Sequence, residues 1–579
     1  MTFLQTTPLS KTNRQICLLL LAVVALYCRA LWDPIVSIDD AGIMKFYSAS
    51  QLTLLDVLRP GQGYYYRPLI ALSYYFDYQV LGQNTALMHL ENILIHAANA
   101  VLLLLLAFRL FPVAAAGLPL IAALVFAAHP VNCEAVSWIA GRTDPLAGLF
   151  VLLSALSLCK GLETGKVRHT VLSVMLLLTG LLAKETALLF IPVSLLLVAG
   201  WRHFRPDASP DNVKLQARVL CLLYLGICLL FAVLLFSRSG AHNSVAKLLT
   251  GNKSDAVGSL LLCLKVFGFY LKKMLVPWPL NFAILTIADW YLIPAAAGLL
   301  FLWFVPKRNP YFICVASGFL FLLPAVVVAL FDVAWTAVAE RYLYIPSAFL
   351  AVGLTGYLHL AAQRMRLQHL VVPVLSLGIA VAAVSTVHRT GIWQSNLALF
   401  QDTVAQTPDF GMLHNELAVA LARAGRVTEA EKELDAASSL DISDLVKGLI
   451  RRNRLLISVI RAATPDQKRS LLNRYGWNDV KDDAELLTLL RQNDYLIIPT
   501  LRAGAQKDAL VTELIEVSER LFSRTGEPLL LYNNGQLLLE RGDRRSALAY
   551  FARCAQAAPD GAYYKAAAGK LAATLGREP

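Results

Sequence analysis

The sequence is poor in charge: of 579 residues only 16% are Asp, Glu, Lys or Arg, against 57% hydrophobic, and the mean hydropathy is +0.56. A soluble chain of this length does not carry that balance, which makes this a polytopic membrane protein. The nine cysteines form no CxxC pair and no Cys/His cluster. Most lie inside apolar runs, so they read as small apolar residues, not a disulfide framework or a zinc site. Neither a GxxxxGK[ST] loop nor a GxGxxG fingerprint is present to suggest a nucleotide. The net charge of +12 sits largely in short loops between apolar runs, a mark of topology and not of nucleic-acid binding.

What the chain does have is a succession of apolar segments. A span takes about 20 such residues, fewer where helices are buried among others. The candidates are 16–32, 89–111, 114–129, 144–160, 168–183, 186–200, 216–236, 290–305, 310–330, 342–361 and 370–387. The first follows KTNR and lacks a small-residue cleavage site before Trp32, so it is expected to stay as an uncleaved span. Within 256–279, Lys265, Lys272 and Lys273 give a basic face, and this segment is expected to be an amphipathic helix on the outer surface. With the N-terminus inside, the loops KGLETGKVRH, WRHFRPDASPDNVKLQAR, PKRN and AAQRMRLQH are then all internal and all basic. If 256–279 crossed as a twelfth span, the last two would move outside. The expected fold is therefore an all-α bundle of about eleven spans over 1–390, with a first external loop at 33–88 and an external helical domain at 391–579.

In that last region two stretches align on Gly425 and Gly542: LHNELAVALARAGRVTEAEKELDAASSLD (413–441) and YNNGQLLLERGDRRSALAYFARCAQAAPD (532–560). Each has a helix, a Gly turn, an Ala five residues on (Ala430, Ala547) and a second amphipathic helix. This is the shape of a tetratricopeptide-like repeat, or of a generic helical hairpin, and such arrays bind partners. The segment 443–525 between them is helical and charged.

The same topology brings polar groups together on the outer face: Asp39, Asp40 and Arg67 in the first loop; His129, Glu134, Arg142 and Asp144 in the second; Lys184 and Glu185; and Glu340, Arg341 and Tyr342. Taken singly each has a plain reading. Asp39-Asp40 is a solvated turn or helix cap, HPVN a turn, Lys184-Glu185 a snorkelling pair, Glu340-Arg341 a local ion pair, and Asp33 an ordinary charge at a span end. Together, at the mouths of several spans, they suggest a shared polar cavity. Carboxylates suit a base or ligands for a divalent metal, whose presence is left open; cations suit a leaving phosphate. His89, Asn92, His96 and Asn99 form a polar stripe on one helix face, read as interhelical hydrogen bonding ahead of a metal role.

The first-loop Asp-Asp, YYRPLIALSYYFDYQVLGQNTALMHLENILIHAANAVLL, HPVNCEAVSWIAGRTDPLA, AKETAL, ERYLYIPS and WQSNLALF, in that order, resemble the transmembrane and tetratricopeptide-repeat-containing (TMTC-type) proteins and their bacterial relatives. Those belong with the protein O-mannosyltransferases in the GT-C class. The resemblance covers about Asp33 to Leu440 and returns at the last repeat. It implies a polyprenyl-phosphate-linked sugar as donor, inversion at the anomeric carbon, and a protein or glycan acceptor held by the external repeats. It places Asp39 as base or acceptor-orienting group with Asp40 beside it, Glu134 and Asp144 at acidic positions of the second loop, and Arg341 with Lys184 on the donor phosphate. The array is shorter than in eukaryotic members, and Asp-Asp stands where the O-mannosyltransferases have Asp-Glu. The style of the sequence implies a bacterial inner membrane with the outer face periplasmic. The expected function is a membrane glycosyltransferase; the alternatives are a non-catalytic scaffold that recruits a periplasmic partner through its repeats, and a transporter of lipid-linked sugars.

Overall fold

The structure is a computed structural model that describes all residues except 1–8, 48–51, 60–65, 83, 112–116, 237–255, 332–333, 441, 462–463, 465, 468–469, 472–483, 560 and 577–579. The chain divides into two compact units, Met1–Thr407 and Pro408–Pro579. The division falls beyond the composition change near residue 390, because Asn396–Gln406 is hydrogen-bonded to loops of the first unit.

Among the described residues the secondary structure is helical, with one isolated antiparallel bridge between Ile284 and Val338. Each expected span coincides with a helix. Among the described residues seven helices are long and apolar enough to cross a membrane, or eight if the bent pair Leu118–Ala127 and Pro130–Ser137 counts as one span. Val167–Ala183 and Asp289–Phe304 are apolar but shorter.

At the centre of the first unit, Thr85–Leu110 packs on Thr143–Thr164, Leu118–Ala127 and Leu9–Tyr27. Its polar stripe is buried and turned inward. Asn92 donates to the carbonyls of Val136 and Trp138; Asn99 donates to the Pro145 carbonyl and the Tyr344 hydroxyl; His96 bonds Tyr344 and the Ala127 carbonyl. In a medium without water, such side chains satisfy main-chain groups of broken helices. The stripe therefore shapes the second loop.

The helix Ala256–Leu275 does not lie free on a surface. Its face of Val266, Phe269, Tyr270, Lys273 and Met274 is buried, and Gly268 meets the Tyr291 carbonyl so closely that a Cβ there would clash with the oxygen. The expected basic face is split, with Lys273 turned into the protein.

In the second unit, Gly411–Arg423 pairs with Val427–Ser439 and Leu529–Glu540 with Arg544–Ala557. The turns use Gly425 (φ +78°) and Gly542 (φ +88°), a left-handed conformation that glycine adopts without a Cβ penalty. Ala430 and Ala547 are fully buried. Asp444–Arg461, Ala484–Ile497 and Ala505–Thr525 occupy the interval.

Candidate functional site

One turn gives Asp39 and Asp40 different surroundings. Asp39 lies at φ +64°, a conformation that short polar side chains tolerate, and opens to solvent. Asp40 begins the helix Asp40–Tyr47 but does not cap it. Its buried carboxylate turns back, accepting the Val36 N–H at 3.0 Å on Oδ2 and the Ala140 N–H at 2.9 Å on Oδ1. The second of these bonds ties the first loop to the second. Burial pushes the Asp40 carboxyl up to about 7 against those two donors, with the Asp39 charge adding to the rise and Arg142 opposing it. Asp39 is raised too, by the protein around it, with the Arg341 guanidinium opposing. The pair is thus one clamped carboxylate and one open one that feels Arg341.

Asp33 corrects the expectation of an ordinary solvated charge. It is 3% exposed, and among the described residues neither carboxylate oxygen has a hydrogen-bond partner. Burial raises its carboxyl to about 8, and Arg29 opposes the shift.

The second loop breaks the helical run at His129. Its Nε2 bonds the Met274 carbonyl at 3.0 Å and its Nδ1 accepts the Val131 N–H at 3.4 Å, so each ring nitrogen holds main chain. Arg142 is fully buried. It donates to Asp77 at 2.6 Å, to Asn92 at 2.8 Å, and to Ser73 and the Met88 carbonyl, both at 3.1 Å; it also lies 2.9 Å from Glu91 and over the Tyr74 ring. A guanidinium so enclosed holds the first loop on the helix Thr85–Leu110.

The other charges pair across loops, not with their sequence neighbours. Lys184 donates to both oxygens of Asp144, at 2.7 and 2.6 Å, and lies over the Tyr342 ring. Glu185 instead receives a two-point fork from Arg67 at 3.0 and 2.7 Å. The local pair expected of Glu340 and Arg341 is likewise absent. Glu340 takes Lys273 at 2.5 Å and the Asn281 N–H at 3.0 Å, while Arg341 turns to Glu134. Glu134 accepts both the Arg341 main-chain N–H, at 3.0 Å, and the side-chain Nη1. The guanidinium is layered on Trp138 (5.3 Å) and Tyr342 (5.1 Å). Among the described residues its Nε and Nη2 make no hydrogen bond, which leaves one donor edge for a further anion. Behind it Trp138, Phe282 and Trp393 pack together.

The structure therefore links three loops, Asp40 bonding the Ala140 N–H and Glu134 bonding Arg341, with Asp39 next to Asp40 and with Asp144, Lys184 and Tyr342 alongside; His129, Arg142 and Glu340 serve as ties. Sequence reasoning missed Asp77, Lys273 and Asn396. Asp77 and Asn396 stand inside the motifs YYFDYQ and WQSNLALF, but nothing local marks them as partners of remote groups. No group of three His, Cys, Asp or Glu side chains is placed to hold a metal ion among the described residues.

No protein-family model and no solved structure matches the chain. Curated proteins do. Mouse protein O-mannosyl-transferase TMTC4 is 28% identical over 433 residues, covering 63% of this chain and 57% of the mouse protein. Human TMTC4 is 28% identical over 438 residues, covering 63% and 56%. Over a shorter stretch of 99 residues, Xenopus laevis protein O-mannosyl-transferase tmtc2 is 43% identical, covering 17% of this chain and 12% of its own length. The chain spans little more than half the length of the TMTC4 proteins it matches. On these similarities the chain is a relative of the TMTC-type protein O-mannosyl-transferases.

Proposed function

We propose that this protein is an integral-membrane glycosyltransferase of the GT-C type that moves a sugar, mannose by analogy with its relatives, from a polyprenyl-phosphate donor to a hydroxyl acceptor on the outer face of the membrane. The observation that carries the reading is an open carboxylate, Asp39, on a turn that Asp40 ties to the second loop, while the same loop's Glu134 holds a guanidinium, Arg341, whose Nε and Nη2 make no hydrogen bond among the described residues. The acceptor hydroxyl attacks the anomeric carbon and gives its proton to Asp39. The new C–O bond forms as the bond to the phosphate oxygen breaks, with inversion, and the departing lipid phosphate keeps that electron pair beside Arg341. Glu134 aims Arg341, and Asp40 holds the turn that presents Asp39. Lys184, bound by Asp144, supports the same wall. The acceptor, protein or glycan, would be held by the helical hairpins of the second unit. A bacterial inner membrane with that unit in the periplasm completes the proposal.

The test uses a deletion strain complemented with wild type or with Asp39→Asn, scored by glycosylation of envelope proteins and polymers. Loss of a positioned base costs about 10²–10⁴-fold in rate. Asp39→Asn is expected to abolish the product at unchanged protein level. Full rescue by Asp39→Asn would overturn the reading and favour a scaffold.

A further inference from the structure

Asn396 heads the helix Asn396–Gln406, whose N-terminus is capped by the Ser395 hydroxyl. Its own amide does not serve that helix. It reaches the first loop, donating from Nδ2 to the Ile35 carbonyl at 2.9 Å and accepting the Ser37 N–H on Oδ1 at 3.4 Å. A carboxamide presents one donor and one acceptor side by side, which is what a carbonyl and an N–H two residues apart require. Between them, the Val36 N–H is taken by Asp40. Three successive main-chain groups just before Asp39 are thereby held by two side chains from opposite directions, and the next non-glycine residue but one stands at positive φ.

We infer that Asn396 is a positioning residue for the sugar transfer: it fixes the Ile35–Ser37 main chain and with it the turn that presents the Asp39 carboxylate. The inference rests on the reading of Asp39 as the acting base. The helix that carries Asn396 is itself immobilised at its far end. Gln406 donates to the Leu280 carbonyl at 2.8 Å, Asn281 donates to Thr407 at 2.8 Å, and the Thr407 hydroxyl donates to the Ala283 carbonyl at 2.7 Å. Asp402 takes Arg389 at 2.5 Å. Asn396 is therefore a fixed point against which the first loop is set.

The experiment uses the full chain in proteoliposomes with mannosyl-phosphoryl-undecaprenol as donor and envelope proteins as acceptor, reading release of undecaprenyl phosphate per folded enzyme. Asn396→Ala removes both bonds. Asn396→Asp is isosteric, keeps the acceptor for Ser37 and sets a carboxylate against the Ile35 carbonyl. A misplacement of about 1 Å costs on the order of 10²-fold. Both variants are expected to lose about that much in kcat, with donor KM changed less than about 2-fold, and the acid limb of the pH–rate profile is expected to move as the surroundings of Asp39 change. Wild-type kcat with an unmoved limb in either folded variant overturns the inference. Wild-type turnover by Asp39→Asn in the same assay would instead remove the reading beneath it.

Discussion

At the scale of single residues, burial separates carboxylates that look alike in sequence. Asp33, Asp39 and Asp40 lie within one short loop, yet one carboxylate is buried with no hydrogen-bond partner among the described residues, one is open and one is clamped by two N–H groups. Asp33 makes a prediction of its own. Its folded carboxyl, near 8, lies above the ordinary carboxylate range, so the folded state holds the proton more tightly than the unfolded one. The stability this contributes is complete at low pH and is lost as pH rises through about 8. The melting temperature of wild type is expected to fall as pH is raised from about 5 to about 9, and that of Asp33→Asn to fall markedly less. Parallel curves for the two proteins would refute the assignment. Asp39 titrates in the same sense, so activity is expected to rise with pH through its elevated value.

At the scale of elements, cross-loop ties decide where amphipathic segments go. The Lys-bearing segment 256–279 reads as a surface helix from its composition, but Lys273 finds Glu340, Met274 lends its carbonyl to His129, and the helix closes on its neighbour at Gly268. A Cβ at residue 268 cannot coexist with the Tyr291 carbonyl unless the helices separate. Overpacking of this kind typically costs about 1–3 kcal/mol. Gly268→Ala is expected to lower the melting temperature of the detergent-solubilised protein, while Gly378→Ala, with nothing within 4 Å of its added Cβ, is expected to leave it unchanged or slightly raised. Equal melting of both variants and wild type would show that the close crossing does not hold in the protein.

For the whole molecule, the proposed topology sets the charges of the candidate site on one side and the basic loops on the other. In a background without native cysteines, single cysteines at Lys166, Arg308 or Arg366 are expected to resist a membrane-impermeant maleimide in intact cells, and cysteines at Arg59 or Glu429 to react. Labelling at Arg308 and Arg366 together with protection at Lys166 would mean that 256–279 crosses and that there are twelve spans. Helix positions, basic loops and the polar composition of the loops that meet were legible in the sequence because hydropathy and charge act locally, within a helix length or a loop. The motifs also marked most of the residues that meet. Their partnerships were not legible. Arg341 sits beside Glu340 in the chain but bonds Glu134, 207 residues away, and Lys184 passes over Glu185 for Asp144. By itself the sequence determined that this is a helical membrane protein with charged loops and a TMTC-type pattern. Only the tertiary structure decided that Asp39 is open and Asp40 clamped, and that Asn396, just after the last span, bonds the Ile35–Ser37 main chain that follows the first. Ion pairs and amide bonds in a dry interior are chosen by which side chains the packed helices bring within about 3 Å, and that is a property of no single segment.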